Sequence, residues 1–304
     1  MKFTVDYPIV TVGYDPALVT AAGMTRVAQA AEERGYDAIS FSEHPAPSHK
    51  WLNAGGHESL DQTSALTFCA AVTRRLRLMT YLLVLPYHNP FLAAKGIATL
   101  DVLSGGRTVV GLGAGYLEPE FEALGADFDE RNQRMDEALV AMEAAWTGES
   151  VAFEGTGFRA RGNTMLPRPR QRPRPPLWIG GNSRRSIRRA VESADGWCPF
   201  PNPARSAART RTAPLESAAD LAVALEYARS HAERVGRTEP LTVCFIPEGL
   251  SMGGAPPDEG RVVASIHELG AIGVEWVSVA LPGGTRSAQL ESIDRFGQAV
   301  LAAI

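Results

Sequence analysis

Apolar positions along the chain alternate between two spacings. Short runs rich in β-branched and apolar residues alternate with longer stretches in which apolar residues recur every three or four positions, the spacing of an amphipathic helix. The short runs predict strands at residues 3–7, 37–42, 76–83, 108–112, 177–180, 195–199, 241–246 and 274–281. The longer stretches predict helices near residues 18–34, 61–73, 90–104, 129–147, 183–193, 216–235, 258–272 and 287–303.

The order of these elements indicates the fold class. Strand and helix alternate strictly from one end to the other, which favours a closed parallel (β/α)₈ TIM barrel over an open, doubly wound sheet. We see no interdomain linker and no internal repeat. The sequence therefore predicts one α/β barrel domain spanning residues 1–304.

Three connections are longer than a barrel requires, and all three follow strands. They are residues 45–60, 115–129 and 200–214. Because barrel enzymes build their sites at the carboxyl-terminal ends of the strands, these insertions are expected to surround the site. A fourth insertion, 149–176, follows a helix, and its segment VAFEGTGF predicts a small hairpin.

Composition excludes several classes of protein. The net charge of −4 gives no basic field that would attract nucleic acid or an anionic membrane. The three cysteines form no CxxC pair, and no HExxH spacing occurs, so neither a metal centre nor a disulfide framework is expected. The sequence shows no signal peptide and no apolar membrane span, so we expect a cytoplasmic protein.

The segment WIGGNSRRS, residues 178–186, is a candidate anion site. A predicted strand ends at Gly180 and Gly181, and Asn182 and Ser183 then open a helix. Glycines allow a ligand to approach the backbone, and the free N–H groups of a helix N-terminus favour a phosphate. The simpler interpretation is a strand–helix turn that needs glycine and a capping residue, and it deserves about equal weight.

Two further segments place chemistry at predicted strand ends. GLGAGY, residues 111–116, lacks the third glycine of a dinucleotide fingerprint, but Gly113 could let a flat ring lie against the backbone beside Tyr116. SEHP, residues 42–45, puts Glu43 and His44 at the active face, where an imidazole can donate or accept a proton near neutral pH. A solvated loop pair is the commoner fate of such a dipeptide.

Five segments in order along the chain resemble the luciferase-like flavin and deazaflavin oxidoreductase family, and most closely its branch that uses coenzyme F420. They are LMTYLLVLPYHNP (78–90), ATLDVLSGGRTVVGLGAGY (98–116), EFEALGADFDERNQRMDEAL (120–139), PPLWIGGNS (175–183) and ADGWCPF (194–200). The resemblance covers the chain to about residue 300.

The resemblance implies a bound cofactor, either F420 or the related flavin FMN. It implies a tricyclic ring across the barrel mouth, a phosphate at Gly180–Ser183, and His44 beside the ring as the catalytic residue. It also implies a cis peptide between Tyr81 and Leu82, with both residues near the ring. In sugar-phosphate dehydrogenases of the family an acid stands where this chain has Tyr116, so that substrate is not carried over.

Four functional hypotheses follow. The first is an F420-dependent enzyme that transfers a hydride to or from a small organic molecule. The second is an FMN-dependent monooxygenase that uses oxygen and a separate reductase. The third is a phosphate-binding aldolase or isomerase, and the fourth is a flavin-binding protein without turnover. The family also implies a homodimer, for which the small residues on the second and third predicted helices are suited: Ala70, Ala71, Ala93, Ala94 and Ala98.

Overall fold

A computed structural model describes residues 1–9, 13–250 and 257–304. The strands are β1 (Lys2–Asp6), β2 (Ala38–Phe41), β3 (Arg77–Val84), β4 (Thr108–Gly113), β5 (Val151–Gly155), β6 (Phe158–Asn163), β7 (Leu177–Gly180), β8 (Gly196–Cys198), β9 (Thr242–Phe245) and β10 (Trp276–Val279). The α-helices are α1 (Ala21–Glu33), α2 (His49–Asn53), α3 (Gln62–Val72), α4 (Pro90–Ser104), α5 (Glu118–Ala123), α6 (Arg131–Thr147), α7 (Arg184–Ser193), α8 (Ala207–Thr210), α9 (Ala218–Val235), α10 (Glu259–Ile272) and α11 (Arg286–Ala299).

Eight of the strands close into a barrel in the order β1-β10-β9-β8-β7-β4-β3-β2, and every pairing within it is parallel. The predicted barrel is therefore confirmed. The remaining strands, β5 and β6, form the predicted antiparallel hairpin. The three insertions after strands are partly helical, because each contains one short α-helix, α2, α5 or α8.

Alternation along the strands separates two apolar regions. Residues such as Val5, Ile39 and Val277 face the surrounding helices and join the larger core. Their neighbours face the barrel axis, where Trp178 and Trp276 meet edge to face with ring centroids 5.2 Å apart. Successive side chains of a strand point to opposite faces, so this division follows directly from the sequence spacing.

Arg107 explains the LSGGR segment. Its guanidinium donates to the carbonyl oxygens of Ala70, Leu76 and Ser104, at 2.8, 2.8 and 2.7 Å. These bonds join the ends of α3 and α4 to the starts of β3 and β4. Gly105 caps α4 with a φ of 74°, a left-handed conformation that favours glycine.

Three of the five alanines that were expected to pack between two copies of the chain lie inside the protein instead. Ala70, Ala94 and Ala98 are buried within this chain, where α3 packs against α4. They therefore serve this internal contact. The large exposed apolar side chains on α4 are Leu92, Val102 and Leu103. Within the described residues, no helix is both long and apolar enough to cross a lipid bilayer.

Candidate functional site

His44 follows β2 directly and lies buried at the carboxyl-terminal end of the barrel, so it is not a solvated loop residue. Its Nδ1 is 3.1 Å from Oε2 of Glu120, a fully buried carboxylate on α5. The same oxygen accepts a hydrogen bond from the Tyr87 hydroxyl at 3.0 Å, and Oε1 accepts one from the Ala46 N–H at 3.3 Å. A carboxylate bonded to Nδ1 fixes the imidazole tautomer and leaves Nε2 for a ligand.

Aromatic rings surround the other side of His44. Trp51 and His57, both in the insertion after β2, lie with ring centroids 4.4 and 4.8 Å from that of His44. Tyr116, after β4, is 6.2 Å away. Burial lowers the pKa of His57, and burial together with the nearby Glu120 raises the pKa of Tyr116 to about 12. Both side chains are therefore neutral near pH 7.

Glu43 points away from His44, as expected for consecutive residues of an extended segment. Its Oε2 accepts a hydrogen bond from the Val84 N–H at 2.5 Å, and its Oε1 lies 2.8 Å from Nε2 of His88. Burial alone would lower the pKa of His88, but the hydrogen bond to Glu43 raises it above its ordinary value. In this structure Glu43 therefore holds the end of β3, and contact with a cofactor stays a prediction.

The peptide bond between Tyr81 and Leu82 is cis, as the resemblance implies. The side chain of Leu82 fills the space beside glycines of β4 and β7. A Cβ added to Gly180 would lie 2.1 Å from Cδ1 of Leu82, and one added to Gly113 would lie 3.2 Å from the same atom. Packing against Leu82 thus accounts for both glycines, and their contact with a ring stays a prediction.

The turn into α7 has the features of an anion site. Gly181 has a φ of 95°, and Ser183 caps the helix by accepting a hydrogen bond from the Ser186 N–H at 3.1 Å. The backbone N–H groups of Ser183, Arg184 and Arg185 have no partner inside the helix, because no carbonyl group of the helix precedes its first turn. These groups point out of the helix end, where an anion is favoured.

The polar groups of Asn182 are hydrogen-bonded within the protein rather than directed to a ligand. Its side-chain amide donates to the carbonyl oxygens of Phe200 and Ala213, and its oxygen accepts from the Phe200 N–H. Its backbone N–H donates to Oγ1 of Thr212 at 2.9 Å. Asn182 therefore ties the 200–214 insertion to the start of α7, and a direct role in cofactor binding stays a prediction.

A second contact joins the same insertion to its neighbour. Arg211 forms an ion pair with Glu118 at 3.1 Å, between the 200–214 and 115–129 insertions. Arg211 also lies over the ring of Phe128, 4.6 Å from its centroid. The three insertions are thus connected to one another around the barrel mouth.

Several buried polar atoms at the mouth have no hydrogen-bond partner among the described residues. They include Oγ of Ser42, Oε1 of Gln62 and the hydroxyl of Tyr81. All three belong to the carboxyl-terminal half of the barrel, on or next to β2, α3 and β3. A buried polar atom without a partner costs free energy, so each of these atoms is available to bind a polar ligand or a water molecule.

Sequence reasoning missed Glu120, Trp51 and His57 as neighbours of His44. Glu120 lies within a quoted family segment, but nothing in its spacing distinguishes a buried acid from the exposed ones around it. Asp6 was missed as well, although it stands at the carboxyl-terminal end of β1, where an acid in a barrel strand is a usable signal.

The histidine–carboxylate pair and the start of α7 both lie at the carboxyl-terminal end of a (β/α)₈ barrel, the face at which enzymes of this fold build their active sites. The model of the family described as luciferase-like monooxygenase matches residues 1–246. The chain belongs to this family.

Similar proteins include users of two different cofactors. FMNH(2)-dependent dimethylsulfone monooxygenase of Pseudomonas putida is 37% identical over 131 residues, which are 42% of this chain and 35% of that protein. F420-dependent glucose-6-phosphate dehydrogenase of Microbacterium testaceum is 34% identical over 173 residues, 55% of this chain and 49% of that protein. The chain thus matches about half or less of these curated relatives.

The fold also matches a solved structure over its full length. The structure of monooxygenase RslO1 from Streptomyces bottropensis matches with a TM-score of 0.79 and 23% sequence identity, covering 99% of both chains. At this identity the likeness concerns the fold.

Proposed function

We propose that this protein is a coenzyme F420-dependent oxidoreductase that transfers a hydride between the deazaflavin and a small organic substrate. The observation that carries the proposal is the buried pair of His44 and Glu120 at the barrel mouth. Hydride transfer to a carbonyl creates a negative oxygen that must receive a proton. A histidine whose Nδ1–H is held by a buried carboxylate supplies that proton from Nε2 when it is an imidazolium, which the carboxylate stabilises.

The residues at the mouth fit a cofactor of this kind. The orphaned polar atoms of Ser42, Gln62 and Tyr81 offer partners to the polar edges of a ring. The left-handed Gly181 and the free N–H groups at the start of α7 offer a cradle for a phosphate. Arg184 and Arg185 are engaged with Tyr227 and Asp136, so backbone N–H groups carry this role.

Each residue then has a defined task. In its imidazolium form His44 holds a proton on Nε2, and Glu120 orients the imidazole by accepting a hydrogen bond from its Nδ1–H. Trp51 and His57 cover His44 and exclude water from it. Tyr81, Leu82, Tyr116 and Gly113 would lie nearest to the ring, and the free N–H groups at Ser183 and in the first turn of α7, beside Gly181, would bind the phosphate. The cofactor supplies the atom that carries the hydride, while the protein orients it against the substrate.

A second candidate is an FMN-dependent monooxygenase that receives reduced flavin from a separate reductase. The similarity to the dimethylsulfone monooxygenase supports it. The F420 hypothesis is supported by the relative whose alignment covers more of this chain, the glucose-6-phosphate dehydrogenase. Membership in the luciferase-like family leaves no support for an aldolase or isomerase.

Cofactor titration separates the candidates. We expect purified protein to bind F420 more tightly than FMN, as measured by fluorescence. It should oxidise reduced F420 only when a carbonyl substrate is present to accept the hydride, and without consuming oxygen. Tighter binding of FMN, with oxygen uptake on addition of reduced FMN, would replace the proposal by the monooxygenase. Tight binding without any substrate-dependent oxidation would favour a flavin-binding protein without turnover.

A further inference from the structure

A polar layer lies just below the mouth, on three neighbouring strands, with its side chains on the face of each strand that points to the barrel axis. Asp6 ends β1, and its Oδ1 receives hydrogen bonds from the hydroxyls of Ser278 on β10, at 3.0 Å, and of Ser40 on β2. Barrel interiors are normally filled by bulky apolar side chains. An acid at the centre of this layer therefore needs an explanation.

No positive charge compensates Asp6, which forms no ion pair within the described residues. The titratable groups that face it are Tyr81 on β3, Cys244 on β9 and Cys198 beside them on β8. Burial raises the pKa of all three, so they stay neutral. Burial also raises the pKa of Asp6, against the lowering effect of the two serine hydroxyls. A largely buried carboxyl without a counter-charge favours its neutral form.

The surroundings of Asp6 indicate which of its two carboxyl oxygens carries the proton. Ser40 and Ser278 are fully buried, and Trp178 and Trp276 plug the axis beneath, whereas Asp6 is partly exposed. Access to Asp6 therefore comes from the mouth. Oδ1 of Asp6 already accepts hydrogen bonds from both serine hydroxyls, whereas its Oδ2 has no hydrogen-bond partner within the described residues. A neutral carboxyl carries one O–H donor, which is then on Oδ2 and faces the mouth.

We infer that Asp6 is a ligand-binding residue at the floor of the mouth, where its Oδ2 hydroxyl donates a hydrogen bond to an uncharged acceptor such as a carbonyl oxygen. The inference rests on the proposed function for the identity of the ligand. A carbonyl on the cofactor ring and a carbonyl on the substrate share this chemistry.

The test uses Asp6→Asn, which keeps an uncharged donor, and Asp6→Ala, which removes it. Asp37→Asn is the matched control, because Asp37 precedes β2 at the opposite end of the barrel and binds the Phe3 N–H. Dissociation constants of oxidised F420 and FMN are measured by fluorescence from pH 5 to 9. Cyclohexanone is then titrated into the cofactor-loaded proteins as a carbonyl probe.

The wild type and Asp37→Asn should lose affinity by about tenfold or more as Asp6 ionises with rising pH, because each pKa unit corresponds to a factor of ten. Asp6→Asn should bind independently of this titration, and Asp6→Ala should bind weakly at every pH. Titration of the cofactor phosphate affects all variants equally. An effect on cofactor binding identifies the ring as the acceptor, and an effect confined to cyclohexanone identifies the substrate. The same pH dependence in Asp6→Asn and wild type, in both titrations, would overturn the inference.

Thermal unfolding of the cofactor-free proteins gives an independent readout. A carboxyl with a raised pKa stabilises the fold while it is protonated, and this contribution is lost as pH rises through the folded-state pKa. The melting temperature of Asp6→Asn minus that of wild type should therefore increase with pH. A constant difference would contradict a neutral Asp6. Wild-type protein that binds neither cofactor would contradict the proposed function alone, since the unfolding difference reports on Asp6 by itself.

Discussion

The packing of Leu82 against Gly180 predicts a large effect of adding one methyl group. In Gly180→Ala the new Cβ would lie 2.1 Å from Cδ1 of Leu82, whereas non-bonded carbons sit about 3.5–4.0 Å apart. The overlap of about 1.4 Å or more requires Leu82 or the strand to move. Overpacking of this kind costs about 1–3 kcal/mol, and the three atoms nearest to the added Cβ all belong to the side chain of Leu82.

Leu82→Ala removes the atoms that clash. By itself it should cost about 2 kcal/mol, at the low end for leucine truncations because Leu82 is only partly buried. In the double variant the overlap is gone, so its loss of unfolding free energy should be smaller than the sum of the single losses by about 1–2 kcal/mol. Urea denaturation of the four proteins measures this coupling. Gly284→Ala is the control, because a Cβ there meets no atom within 4 Å.

Cofactor affinity of the same proteins separates two explanations of Gly180. If the glycine only accommodates Leu82, affinity lost in Gly180→Ala should return in the double variant. If it also lets a ring approach the backbone, affinity should stay low while stability recovers. Additive stability losses in the double variant would refute the packing argument itself.

Three further predictions concern the site and the assembly. His44→Asn should preserve the fold and slow turnover by roughly 10²-fold with cofactor affinity nearly unchanged; reduced affinity at an unchanged rate would make His44 a ring-holding residue instead. Gly181→Val should weaken cofactor binding severely, because its φ of 95° and Ser186 leave no room for a branched side chain; Gly125→Val, with a similar backbone but an open surrounding, is its control. Light scattering should show a homodimer, and Leu103→Glu on exposed α4 should weaken it; a monomeric wild type at micromolar concentration would contradict the prediction.

The sequence predicted the barrel because its signal is repeated in every strand. Each buried strand carries its own short apolar run, and each helix its own three- to four-residue spacing, so an error at one boundary does not change the topology. The hairpin was recognisable for the same reason. Such patterns predict the local secondary structure of the few residues that form them.

The positions of candidate site residues could be predicted only where they lie at strand ends. The structure places His44 and the 180–183 turn there because the barrel fold specifies that position, and their binding roles stay predictions. Glu120 could not, since its role depends on a contact 76 positions away along the chain. Asn182 matched the family segment, but only the structure shows that its amide bonds are used by Phe200 and Ala213.

The contacts between the insertions limit how this barrel can be modified. Glu120 in the second insertion serves His44 and Ala46 beside the first, Glu118 joins the second to Arg211 in the third, and Asn182 ties the third to the barrel. Grafting one loop from another barrel would remove a partner that a different loop needs. Natural variation and laboratory redesign should therefore exchange these loops as a set, with compensating substitutions at the points where they touch.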